Sequence, residues 1–180
     1  MVQSQKKIWD GVMDKAIEAE IVKHAMDPQH YGELKDADGV GAGVDTSGVF
    51  VLFYIKVDGE TVSDASYATS GSQDVMTMAS ILSEMVIGDS VSGAWQSLEG
   101  LEADVEALYR EKEARIEAMI AAGSKAKISL KEQDNAAVVL AAFRAALMHR
   151  ERRLEGVEEE QYRITIPKRG GKHAKKGCSH

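Results

Sequence analysis

The sequence predicts an α+β domain: a small three-stranded antiparallel sheet with helices packed on one face and an extended helical C-terminal half. Three observations predict it. The chain opens on a helical apolar stripe, and FVLFYIKVDGETVSDASYAT (50–69) reads as two strands around a tight turn. From residue 73 onward apolar residues recur at helical spacing, ending in AAVVLAAFRAAL, which is apolar almost all round.

The elements follow in order. Residues 4–26 form a helix, with Ile8, Val12, Ala16, Ile17, Ile21 and Ala25 along one face, and Pro28 forces its end. The stretch DPQHYGELKDADGVGAGVDTSG is rich in glycine and aspartate, a loop with at most one short strand near 39–44. FVLFYIKV (50–57) is aromatic, β-branched and apolar at nearly every position, as in a strand covered on one face and sheltered on the other. Asp58-Gly59 is a hairpin signal, and TVSDASYAT (61–69) alternates between its two sides.

A second helix spans 73–87, with Val75, Met78, Ala79, Leu82, Met85 and Val86 on one face, Ser72 or Gln73 near its N-cap and Gly88 as C-cap glycine. A short helix at 90–97 starts at Ser90. Residues 101–122 form an acidic helix striped by Leu101, Val105, Leu108, Ile116 and Met119, and broken by Gly123-Ser124. The most buried helix is 133–150, and YRITIP (162–167) is a short strand or an extended arm. Domain organisation is thus a single unit over 1–155, with the lengthened acidic helix near 101–122, followed by an extended, mobile basic tail over 156–180.

Composition bounds the chemistry. The chain has 180 residues, 44% hydrophobic and 28% charged, the profile of a soluble globular protein. No apolar run approaches the roughly 18 residues of a membrane span, and the N-terminus has no signal-peptide core, so a cytoplasmic protein without membrane association is expected. A net charge of −7 disfavours nucleic-acid binding by the body of the chain, although the tail PKRGGKHAKKGCSH has no Asp or Glu. The single cysteine, Cys178, excludes an internal disulfide and any all-cysteine metal site built by one chain.

Three segments would meet at one end of such a sheet: Ser47-Gly48 before the long strand, Gly71-Ser72 between strand and helix, and Asp134-Asn135 opening the buried helix. Their surroundings resemble the iron–sulfur cluster scaffolds of the IscU/NifU type, from about His24 to Leu147. HAMDPQHYGELKDADGVGAG is similar to the family's H-x-x-x-P opening and its "DADG-G-G". FYIKVDGETVSDASYAT is similar to "L-I-K-V-D-G-x-I-x-D-A-x-F-x-T", and SGSQDVMTMASILSEMVIGDSV to "G-C-x-x-x-x-A-S-S-S-x-L-T-E-x-I-x-G-x-S". By this resemblance the family's three cluster-ligand cysteines fall on Ser47, Ser72 and Asn135, and its nearby aspartate falls on Val49. The family's proline-rich chaperone-recognition segment has no counterpart before the last helix.

Clusters are held by thiolates, which are soft donors available near neutral pH. A serine hydroxyl is hard and stays protonated, and asparagine offers a neutral carbonyl. The resemblance implies iron–sulfur biogenesis while these residues deny its usual cluster chemistry. The expected function is that of a non-enzymatic relative of the scaffold, degenerate at the ligand positions. It would act through protein partners of iron–sulfur assembly or an associated redox pathway, as a homodimer in one reading. No cofactor is expected. The alternative is a carrier of iron, another metal or a cluster, with non-cysteine or tail ligands such as the histidines and Cys178 (His173, Cys178 and His180 in the tail), or ligands from a partner.

Other residues offer sharper roles beside plainer ones. Asp45, Asp74 and Asp134 each lie within two residues of a ligand position and would together suit a hard cation such as magnesium, calcium or manganese. Their plainer roles are a turn for Asp45, a helix N-terminus for Asp74 and a cap for Asp134. Ser72 as the nucleophile of a hydrolase would need a base and an elbow, and GSQDV is not G-x-S-x-G. The plainer role is an N-cap hydroxyl accepting a first-turn N–H. His24 and His30 could each be a metal ligand, or bond a backbone carbonyl or face a helix dipole.

Overall fold

A computed structural model describes residues 15–167 and residue 169. The order is α1 (Lys15–Met26), β1 (Gly39–Asp45), β2 (Phe50–Asp58), β3 (Thr61–Thr69), α2 (Gln73–Val86), α3 (Val91–Ala121), α4 (Lys131–Leu154) and β4 (Tyr162–Ile166). The α+β class is as expected, but the sheet has four strands, not three, in the order β3-β2-β1-β4. Residues 162–166 settle as the extra strand, parallel to β1 with Gly41 opposite Tyr162. Three apolar or aromatic residues in YRITI, at every second position, leave a period that fits an edge strand with one half-sheltered face. The first part of the helix expected over 4–26, and the tail with His173, Cys178 and His180, lie outside the described residues.

The hairpin β2–β3 turns at Gly59, whose φ of 62° requires the left-handed region that glycine enters freely. Its register places Phe53 opposite Tyr67 and Ile55 opposite Ala65. Because side chains alternate, these four point to one face, together with Val51 and the glycines of β1. That face carries the core with α2, α3 and α4, and Phe53 meets Phe143 at 5.2 Å between ring centroids.

The glycines of β1 decide how α4 sits. A methyl group built on Gly41 would stand 2.1 Å from Ala146 N and 2.2 Å from Ala142 O. On Gly39 it would meet Ala146 O at 2.2 Å, and on Gly43 Val138 O at 2.4 Å. The helix backbone therefore lies directly on the strand, which only a row of residues without Cβ permits. Contacts step back from Ala146 to Val138 as β1 advances, so helix and strand run in opposite directions.

The separate helices expected at 90–97 and 101–122 are one helix of 31 residues. Nothing between them breaks the backbone: Gly100 has no proline beside it, and Leu98 and Leu101 are both buried, carrying the apolar stripe across the join. Ser90 caps it by accepting the Gly93 N–H at 2.9 Å. α4 starts at Lys131, two residues before the expected 133.

Candidate functional site

β1 leaves the sheet at Asp45, β2 enters at Phe50, β3 leaves at Thr69, and α4 begins at the same end because it runs against β1. This topology brings the loops bearing Ser47 and Ser72 and the first turns of α4 bearing Asn135 to one end of the sheet.

Each position has its own local chemistry. The Asp45 carboxylate accepts hydrogen bonds from Ser47 N–H at 2.9 Å, Ser47 O–H at 2.6 Å and Val49 N–H at 3.0 Å. Asp45 is thus spent on its own turn, and Ser47 is exposed but already bonded. The β3 exit is held by Thr69, whose hydroxyl donates to Phe50 O at 2.6 Å and accepts Gly71 N–H at 2.9 Å. Ser72 then takes the N-cap position of α2 with φ −68° and ψ 172°. Its hydroxyl makes no capping bond, so the expected hydroxyl cap is absent, although its carbonyl accepts Met76 N–H at 3.1 Å. Ser72 and Asp74 are exposed, whereas Asn135 is buried.

Asp134 does not cap α4, whose N-cap residue is Leu130. Its carboxylate accepts the Tyr109 hydroxyl at 2.6 Å. Burial, and then this carboxylate, push the Tyr109 phenol well above its ordinary value of 10.0. Arg169 stacks on the Tyr109 ring at 3.9 Å and pairs with Glu106 and Glu113, so β4's end is pinned beside the same helix start.

Asp45, Asp74 and Asp134 are not gathered into a cation cage. Among the described residues the one group of three His, Cys, Asp or Glu ligand atoms lying together is Glu20, His24 and Glu84. His24 is buried in the last turn of α1, where a helix-dipole role was expected, and its ring nitrogens meet side chains rather than a carbonyl. Its Nδ1 meets Ser80 Oγ at 2.7 Å, and its Nε2 meets Glu20 Oε1 at 3.1 Å and Glu84 Oε2 at 2.9 Å. Sequence reasoning missed the group because Glu20 and Glu84 lie on different helices. The available signal was Glu20 and His24 at i, i+4. His30 adopts φ 61°, and its carbonyl accepts Tyr67 N–H at 3.1 Å.

Comparison with known proteins adds the ancestry. The NifU-like N-terminal domain family matches residues 16–138. The iron–sulfur cluster assembly scaffold protein IscU of Aquifex aeolicus is 35% identical over 77 residues, 41% of this chain and 49% of its own length. The scaffold protein IscU 1 of Archaeoglobus fulgidus is 31% identical over 75 residues, with the same shares of 41% and 49%. The chain thus spans about half the length of the curated relatives it matches. Among solved structures, a NifU-like protein (N-terminal) from Brucella abortus is 20% identical, with a TM-score of 0.45, covering 77% of this chain and 94% of its own. A putative iron–sulfur cluster assembly scaffold protein for the SUF system from Fervidobacterium islandicum is 16% identical, with a TM-score of 0.44 and coverage of 73% and 91%.

Proposed function

Since the chain belongs to the NifU-like N-terminal domain family, we propose that it serves iron–sulfur assembly by binding protein partners rather than by holding a cluster itself. Ser47, Ser72 and Asn135 occupy the family's ligand positions, and the end of the sheet where they meet is the docking surface. The supporting observation is the donor set: two hydroxyls and one amide at that end, in a chain whose single cysteine is Cys178. Three thiolates cannot be assembled there by one chain, and a cluster needs such soft donors. The Ser47 hydroxyl is moreover committed to Asp45 at 2.6 Å. No catalytic step is assigned, because exposed Ser72 has no histidine bonded to it among the described hydrogen bonds.

Anaerobic reconstitution with iron and sulfide, read by absorbance and metal analysis, tests this. The native chain is expected to retain no stoichiometric iron and sulfide, and the triple variant Ser47→Cys, Ser72→Cys, Asn135→Cys to retain both. A native chain that keeps a stoichiometric cluster after Cys178→Ser overturns the proposal. Capture of a cysteine desulfurase-type partner by the native chain, lost in Ser47→Arg with Ser72→Arg, is the expected companion result.

A further inference from the structure

The Glu20–His24–Glu84 group sits apart from the Ser47/Ser72/Asn135 end, alongside Ser80 two turns into α2. Glu20 and His24 share a face of α1 at i, i+4, and Glu84 reaches in from α2. The imidazole is only 1% exposed, yet its Nε2 edge faces two carboxylates that are 52% and 41% exposed. The far nitrogen is held in place: Nδ1 lies 2.7 Å from Ser80 Oγ, and that same oxygen accepts Gln29 N–H at 2.7 Å.

One N–H proton on Nε2 cannot serve two carboxylates well. Lys23 gives partial relief, its Nζ 3.7 Å from Glu20 Oε1, but Lys23 is itself 58% exposed and free to swing away. What remains is an imidazole edge between two carboxylates from two helices, with an open side to solvent.

We propose that Glu20, His24 and Glu84 bind a first-row divalent cation of the zinc and ferrous-iron class, with solvent completing the coordination. The three ligand atoms already lie within 4.8 Å of one another. Tetrahedral zinc, with ligand bonds of about 2.0–2.2 Å, separates its ligands by roughly 3.4 Å. The observed 3.1 and 2.9 Å from Nε2 therefore need to widen by only a few tenths of an ångström. On binding, the metal takes the Nε2 lone pair, any proton there passes to solvent, and the ring's one hydrogen sits on Nδ1, donating to Ser80 Oγ. Ser80 then acts as the outer partner that orients a ligating histidine, as such sites require. The two carboxylates balance the cation's charge, and the single imidazole favours zinc or ferrous iron over magnesium or calcium.

The test is titration of metal-stripped full-length protein with zinc against a competing chelator, and anaerobically with ferrous iron, with magnesium as the contrasting ion. His173→Ala, Cys178→Ser and His180→Ala form the background, which removes the tail's own donors. Expected is one zinc or ferrous ion per chain, with magnesium not competing, and an affinity that falls by at least about tenfold in Glu84→Gln and in Glu20→Gln. These two positions are exposed, so the variants keep the fold, and circular dichroism confirms it. The His24 ring NMR signals should shift or broaden on addition of the metal. Binding that disappears with the tail donors, or that is unchanged in Glu20→Gln with Glu84→Gln, overturns the site, as does a chain that takes up no ion.

Discussion

Gly41 shows how much one absent methyl group decides. A Cβ there would meet helix backbone on two sides, at 2.1 and 2.2 Å, and backbone cannot rotate aside as a side chain can. Gly41→Ala is therefore expected to destabilise the fold by about 3 kcal/mol or more, measured by urea denaturation. Exposed Gly48, where nothing stands within 4 Å, has no such crowding, so its substitution acts through its φ of 92° alone. His149 ties α4 to β1 and to the loop before β4: its Nδ1 accepts Val40 N–H at 2.8 Å and its Nε2 donates to Glu159 O at 2.9 Å. His149→Ala strands both backbone groups and is expected to cost about 1–3 kcal/mol in the same measurement. Tyr109 is expected to weaken the fold in alkali. Its folded pKa is raised by burial and by Asp134, whereas an unfolded tyrosine ionises near 10.0. Above that pH the unfolded chain has released a proton that the folded chain keeps, so stability falls as pH rises. Tyr109→Phe should flatten that fall in denaturation midpoints taken from pH 9 to 11, without reversing it, because Tyr54 and Tyr67 are raised too.

Among the elements, α3 divides into two parts. Up to Tyr109 it buries Val91, Ala94, Leu98, Leu101, Val105 and Tyr109; beyond Tyr109 none of its residues is fully buried, and Ile120 is 63% exposed. The inner part is fastened sideways by Arg144, whose guanidinium donates to Glu102 at 3.0 and 2.6 Å and lies over Trp95. The outer part leads into the irregular segment 122–130, in which Lys125 and Lys127 are exposed. Within the described residues, limited trypsin digestion should cut first at these lysines. The two fragments should still co-elute on size exclusion, because α4 remains sandwiched between β1 and α3. Strand β4 is held to the end of α4 by Arg152, paired with Glu159 and lying over Tyr162. That clasp explains why a segment so short and so far along the chain still joins the sheet.

At the scale of the molecule, local patterns were legible in the sequence and long-range partners were not. Alternation marked β3 and the Asp58-Gly59 turn, and an apolar surround marked α4 as the best-buried helix; each signal lies within one segment. β4 was ambiguous because its pairing depends on β1, more than a hundred positions earlier in the chain, and the break expected before residue 101 was a local guess that the core overrode. The three positions at the sheet's end followed from element order, and the turn that occupies Asp45 is local and was legible too, but the state of Asp134 was not: that its carboxylate is taken by Tyr109 is set by tertiary placement. His24 illustrates the same limit, since nothing near it in the chain announces Ser80 or Glu84. The glycine-lined strand has a further consequence during synthesis. Its covering helix is made roughly 100 residues later, which at ribosomal speeds of about 5–20 residues per second is a delay of about 5–20 s. Throughout that interval the nascent hairpin shows an apolar flank and a bare strand margin to solvent, the very features that holdase chaperones grip.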